Sequence, residues 1–355
     1  MAAEAVRSPV IVVHGGAWAI PSELTEASLA GVKVAARRGW EVLKAGGSAL
    51  DAVEQATRAL EDDPAFDAGH GAVLNERGEV ELDAVIMDGA TLRTGAVAAI
   101  GPVANPVSVA RMVMERTPHV LLVGDGATAF ATQQGVPLCA RDELVTPAAR
   151  AEWNAMAAFP SAVSRLFNLD DADAGCERAH DTVGAVAVDA DGGIAAATST
   201  GGITFKKAGR VGDSPLVGSG AYADADAGAI SCTGHGESLA RVVFSRRVLE
   251  KVERGVAPAE AASAALEHMS TRVGGRGGAI CVSPSGAVGV AYSTSRMAWA
   301  CMRDEGGDAV VRCGIDRSAP DLAGDGAAAG GRAAPTRAVA APVLEELVEV
   351  ACALP

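Results

Sequence analysis

Three threonines carry a spacing that could do chemistry: Thr182, Thr200 and Thr233. Thr182 opens the apolar run VGAVAV at 183–188, residues 189–193 are turn chemistry, and 194–199 is a second short strand. Thr182 and Thr200 therefore face each other across a hairpin. Thr233 ends another apolar run, 228–232, and opens onto Gly234 and Gly236. Strand-end threonines followed by glycines are places where hydroxyls and bare backbone N–H groups can converge on one developing charge. A threonine hydroxyl needs a base before it can attack anything. An N-terminal threonine carries one, because its own α-amine titrates near pH ~8 and can take the hydroxyl proton. A chain cut before Thr182 would supply that arrangement.

The motifs around these threonines run in one order: HGGAW at 14–18, DAVEQATRALEDDPAFDAGHGAVLN at 51–75, ELDAVIMDG at 81–89, DTVGAVAVD from 181, ATSTGG, GRVGDSP and CTGHGES. Over residues 8–318 the chain resembles the plant-type asparaginase/isoaspartyl peptidase family of threonine-type N-terminal nucleophile hydrolases. The resemblance implies an α+β fold, a four-layer αββα sandwich. It also implies a precursor cut between Asp181 and Thr182 into an α chain, 1–181, and a β chain, 182–355. Assembly is expected as a dimer of such αβ pairs.

For the site, the resemblance implies that Thr182 is the nucleophile and that Thr200 orients it. Thr233 Oγ1 and the Gly234 N–H are the expected oxyanion hole. Arg210 offers a planar fork to a carboxylate, and Asp213, three residues on, offers the opposite charge to an ammonium. Gly236 adds a backbone carbonyl beside that ammonium. The substrate is then an aspartyl unit held by its α-carboxylate and α-amine, as in L-asparagine and β-aspartyl dipeptides, and no cofactor takes part in the chemistry. A structural sodium ion is implied in the loop 60–70, on backbone carbonyls. The family carries Asn where this chain has Asp67, and a carboxylate donates nothing. His70 and His235 lie near the motifs, but this chemistry leaves them no proton to move.

Composition bounds the alternatives. The chain has 355 residues, is 49% hydrophobic and has 42 glycines but only four Trp, two Tyr and six Phe, a mixture that lets layers pack closely. A net charge of −14 argues against a nucleic-acid or anionic-membrane partner. No apolar run reaches the ~18 residues a membrane span needs. Seven scattered cysteines without a CxxC pair, and no HExxH, give a zinc site no support and suit a reducing compartment. The start, MAAEAVRSPV, lacks the pattern of a signal peptide, so a cytoplasmic protein is expected. A glycosylasparaginase shares the HDT run but is expected to be secreted and disulfide-bonded. A threonine aspartase is expected to carry longer loops. An uncut amino-acid-binding module is the reading from a different class.

The elements that must position these residues follow from periodicity. Residues 9–13 read as a buried strand, 25–44 and 48–60 as helices, 80–87 and 95–100 as strands, 106–115 as a helix and 120–123 as a short strand. Residues 139–179, with clustered charges, read as a flexible linker running to the cut, the domain boundary being drawn at 140–181. Helices are expected at 238–254 and 258–272, and a hairpin at 279–282 and 287–292. The Ala/Gly/Asp-rich stretch from 319 (to 340 at its widest) is expected to be disordered, and 341–353 to form a last helix.

Overall fold

The structure is a computed structural model that describes residues 8–140, 142–158 and 182–316. The expected disordered stretch from 319, the helix at 341–353 and Asp181 lie outside the described residues. The first strand, β1 (Val10–Trp18), shows how the fold is specified: Ile11 and Val13 enter one core while Val10 and Val12 enter another, the period-2 alternation of a strand covered on both faces. Two helices follow. In α1 (Thr25–Lys44), Val32, Ala35, Ala36, Gly39, Trp40 and Leu43 are buried at helical spacing. In α2 (Ala49–Glu61), Ser48 is the N-cap and accepts a hydrogen bond from the Asp51 N–H at 3.1 Å.

The chain continues through β2 (Leu82–Asp88), β3 (Thr94–Ile100), α3 (Pro106–Arg116), β4 (Leu121–Val123), α4 (Gly124–Gln133) and α5 (Pro147–Ala158). After the undescribed stretch come the hairpin β5 (Val183–Val188) and β6 (Ile194–Thr200), then β7 (Ala221–Asp224) and β8 (Gly228–Gly234). Next are α6 (Gly236–Val242), α7 (Phe244–Glu253), α8 (Pro258–Val273), β9 (Gly277–Val282), β10 (Val288–Tyr292), β11 (Arg296–Glu305) and β12 (Asp308–Asp316). Among the described residues the strands form an eight-stranded sheet, β12-β11-β1-β5-β6-β2-β3-β4, and a four-stranded sheet, β10-β9-β8-β7.

The chain is thus a mixed fold of helices and sheets with three apolar cores. The first joins α1, α2 and α3 to the large sheet through residues such as Val53, Leu60, Ile86 and Val183. The second lies between the sheets and holds Val186, Ile194, Met87, Ile280 and Val282. The third joins α7 and α8 to the small sheet through Phe244, Leu249, Leu266, Ile230 and Cys281. Alanine recurs in all three, so the layers approach closely.

Two local readings change. Residues 147–158, expected within the flexible linker, form helix α5, docked on the body: the Trp153 indole donates to the Asn75 carbonyl at 2.8 Å, and Thr204 Oγ1 donates to Glu152 Oε1 at 3.0 Å. The helix expected at 238–254 begins earlier and is broken at Val243, whose φ of 50° is left-handed. A β-branched residue is among the least suited to that conformation, so nothing local announces the break. Among the described residues, no helix is long and apolar enough to cross a membrane.

Candidate active site

Sheet register places the first two hydroxyls. Val183 pairs with Ser199 across the β5/β6 hairpin, which brings Thr182, just before β5, opposite Thr200 at the end of β6. Thr182 Oγ1 donates to Thr200 Oγ1 at 3.2 Å, and the Gly202 N–H donates to the same Thr200 oxygen at 2.9 Å. Both threonines are buried. The strand β1 neighbours β5 in the sheet, and its Ala17 N–H donates to Thr233 Oγ1 of β8 at 3.2 Å. That bond occupies a Thr233 lone pair and leaves its hydroxyl proton to be donated elsewhere. Gly234, the next residue, has a φ of 136°, a conformation that side chains avoid.

A hydroxyl chain backs this centre. His14 Nε2 is 2.8 Å from Ser231 Oγ, which is 2.6 Å from Thr198 Oγ1, and Thr198 donates to the Gly220 carbonyl at 3.2 Å. Burial drives the His14 imidazole down to about 3, with the Thr182 backbone opposing, so the ring is neutral beside β5.

The charged half of the site lies on the loop after β6 and the start of α6. Gly236 is the bare point between the charges: a Cβ there would lie 2.8 Å from Arg210 Nη2 and 3.1 Å from Asp213 Oδ1. The structure therefore brings Arg210, Asp213 and Gly236 together, as the sequence reading required. Asp213 is buried, and burial pushes its carboxyl up to about 7 against the pull of Arg210. The Cys232 thiol donates to Asp213 Oδ2 at 3.5 Å and to the Ser219 carbonyl at 3.0 Å.

Arg210 is not an open fork. Its Nε donates to Glu237 Oε1 and its Nη2 to Glu237 Oε2, both at 2.9 Å. Burial opposes the charge on Glu237, but the Arg210 hydrogen bonds outweigh it and hold the carboxylate at about 2. Sequence reasoning missed Glu237 although it stands inside the GHGES motif, because its partner is 27 residues away. His235 Nδ1 lies 2.8 Å from Ser238 Oγ, and burial lowers its pKa, which agrees with a wall residue.

Beneath the site sits a buried ionisable group that periodicity does not reveal. Lys206 is fully buried and donates from Nζ to the Glu81 carbonyl at 2.8 Å; burial lowers its pKa while Asp83 raises it. Asp67 abuts the residue after Thr200: the Gly201 N–H donates to the Asp67 carbonyl at 3.0 Å, and the Val73 N–H to Asp67 Oδ1 at 2.8 Å. Asp67 Oδ2 is buried without a partner among the described residues. Burial pushes this carboxyl up to about 8, despite the Val73 bond and Lys206. A protonated Asp67 can donate, as the amide expected at this position from the resemblance would.

Among the described residues no group of three or more His, Cys, Asp or Glu could hold a metal ion. The loop at 60–70 offers backbone oxygen instead. A Cβ on Gly71 would lie 2.6 Å from the Phe66 carbonyl and 2.9 Å from that of Pro64. One on Gly69 would lie 2.5 Å from the Glu61 carbonyl and 2.6 Å from that of Ala104. Neutral backbone oxygens suit a weakly bound monovalent cation better than a divalent one.

Paired hydroxyls at a strand start, with opposite charges near a glycine, are an arrangement that could serve a hydrolase acting on a small zwitterion. Residues 7–311 match the family described as Asparaginase, and the chain belongs to that family. It is 49% identical over 298 residues to the isoaspartyl peptidase/L-asparaginase of Xenopus laevis, an alignment that covers 84% of this chain and 93% of the frog protein. The proteins of the same name from Danio rerio and Homo sapiens are 48% and 47% identical, covering 82% and 84% of this chain and 91% and 94% of their own lengths.

Proposed function

We propose that the chain is an autoproteolytically activated amidohydrolase that cleaves the side-chain amide of L-asparagine and of β-aspartyl dipeptides. The observation that carries this reading is the buried 3.2 Å contact between Thr182 Oγ1 and Thr200 Oγ1 at the first residue of a hairpin. In the precursor, Thr182 Oγ1 attacks the Asp181 carbonyl carbon. The Asp181–Thr182 C–N bond breaks as the new C–O bond forms, and water hydrolyses the resulting ester. Asp181 then ends the segment 1–181, and the segment 182–355 begins with a free α-amine at Thr182.

Turnover repeats that logic. The α-amine takes the Thr182 hydroxyl proton while Oγ1 attacks the amide carbon of the substrate. Thr233 Oγ1–H and the Gly234 N–H hold the oxyanion. Collapse expels ammonia or an amino acid, which receives the proton, and water releases aspartate from Thr182. Arg210 takes the α-carboxylate, and Asp213 with the Gly236 carbonyl takes the α-ammonium. Thr200 fixes the rotamer of Thr182. No cofactor enters these steps.

The finer architecture is proposed in the same frame. The three cores support a four-layer αββα sandwich, and the family resemblance implies a dimer of αβ pairs. Backbone carbonyls of the loop 60–70 would hold a sodium ion, which anchors that loop and takes no part in the chemistry. Free Cys139, Cys232, Cys281, Cys301 and Cys313 support a cytoplasmic location.

The test combines mass spectrometry with a substrate panel. Protein purified without added protease should show a new N-terminus at Thr182 and release ammonia from asparagine and leucine from β-Asp-Leu, but far less leucine from α-Asp-Leu. Thr182→Ala should remain one chain without activity. An active enzyme with the 181–182 bond intact would falsify the mechanism, and equal rates on the two dipeptides would overturn the pocket.

A further inference from the structure

Glu237 belongs to no step above, yet it makes the two hydrogen bonds that fix Arg210. It stands in the first turn of α6, and its side chain is 43% exposed, against 14% for Arg210. The guanidinium lies among bare backbone: Cβ atoms on Gly212 and Gly236 would lie 2.9 and 2.8 Å from its Nη1 and Nη2. Nη1, which Glu237 does not hold, also lies near Gly202, the residue whose N–H supports Thr200: a Cβ there would be 3.4 Å from Nη1 and 3.0 Å from Lys206 Nζ.

A Cβ on Gly236 would approach Arg210 Nη2 and Asp213 Oδ1 alike, so two groups of opposite charge lie near one bare glycine. Two such ions attract, and in a partly buried site the attraction is strong. If they closed on one another, the carboxylate and ammonium subsites would neutralise each other and the pocket would lose both. A planar fork-to-fork partner on the far edge of the guanidinium competes with that collapse.

We propose that Glu237 is a positioning residue for substrate recognition: it clamps the Nε/Nη2 edge of Arg210, keeps Arg210 and Asp213 apart, and leaves the Nη1 side turned to the α-carboxylate. The inference rests on the asparagine and β-aspartyl reading given above. Glu237 touches neither the nucleophile nor the reacting amide, so it governs affinity rather than bond breaking. Preorganising a binding group improves affinity without adding a contact.

The experiment is steady-state kinetics on asparagine with fully matured wild type, Glu237→Ala and Glu237→Gln, each checked for cleavage before Thr182 and for its thermal midpoint. Glu237→Ala is expected to raise KM by about tenfold or more with kcat within about threefold. Glu237→Gln keeps an oxygen for one guanidinium bond and should fall between the two. If only Glu237→Gln folds, a KM rise of about threefold or more in that variant supports the clamp. An unchanged KM in the folded variants overturns it. So does a loss of kcat at constant KM, which places Glu237 in the chemistry, or a failure of both variants to fold, which makes it structural. Wild type inactive on asparagine and β-Asp-Leu would overturn the functional reading itself, a result distinct from active wild type with an indifferent Glu237.

Discussion

The two halves of the site are built from different materials. The hydroxyl half sits on strand ends: Thr182, Thr200 and Thr233 are placed by the register of β5, β6 and β8, carry no charge and are all buried. The charged half sits on a loop and a helix start, where Glu237 holds Arg210 and the Cys232 thiol donates to Asp213. Backbone ladders fix atoms without side-chain partners, so the first half depends on the fold as a whole. The second depends on a local balance of desolvation and pairing, and its members shift in pKa, Asp213 upward to about 7 and Glu237 downward to about 2. Rate should therefore reside in the sheets and affinity in the loop.

Substitutions can break or sharpen that division. The largest effect is expected on the strand side, where Thr233→Ala removes an oxyanion donor and should lower kcat by about 100-fold with KM little changed. Steady-state kinetics decides it: a loss below threefold would return Thr233 to packing. On the loop side, Asp213→Ala should raise KM for asparagine by about 30-fold while cleavage before Thr182 proceeds, because the precursor presents no free amine there. In wild type the same carboxyl predicts that KM falls as pH rises through about 7, since only ionised Asp213 holds the ammonium; a pH–KM profile that is flat from 6 to 8 would contradict this.

Asp67 joins the two halves and its prediction concerns stability. Its folded pKa, about 8, lies above the unfolded 3.8, so its contribution is fully present below 3.8 and is lost as pH rises through about 8. Asp67→Asn cannot ionise. It should be clearly more stable than wild type at pH ~8.5 and little different from it near pH ~4. Urea melts at the two pH values test this, and a variant less stable at high pH would show that the charge is accommodated. The smallest effect is expected at Phe205, whose φ of 64° puts a bulky residue in the left-handed region while its ring packs 6.1 Å from that of Trp153. Phe205→Asn exchanges the ring contact for relief of about 1–2 kcal/mol of backbone strain, so thermal melts should stay within about 1 kcal/mol of wild type.

Much of this was readable before any coordinates. The helix over 25–44, the Ser48 cap and the β5/β6 hairpin follow from local spacing and turn residues, and each forms where expected. The motif residues Arg210, Asp213 and Gly236 also meet as foreseen. Four kinds of feature were not legible. Helix α5 is held by Asn75 and Thr204, 78 and 52 residues away. Glu237 looks like an ordinary first-turn acid until Arg210 is beside it. The strands β11 and β12 alternate weakly, because β12 is an edge strand with half-exposed residues on both sides. The left-handed turns at Val243 and Phe205 oppose local preference, so tertiary contacts must impose them.

The order of the large sheet has a consequence for the matured protein. β1, from the segment before Thr182, is hydrogen-bonded on one side to β5 and on the other to β11, both from the segment after it, while β6 pairs with β2 from the first segment. Cutting the chain at 181–182 breaks one covalent bond and none of these ladders. The two pieces should migrate together through a sizing column and separate only in denaturant. Their recovery from denaturant, however, becomes a meeting of two molecules rather than the folding of one. The refolding rate and midpoint of the cut form should then depend more steeply on protein concentration than those of uncut Thr182→Ala. Maturation would leave the native state nearly as it was and make the way back to it second order.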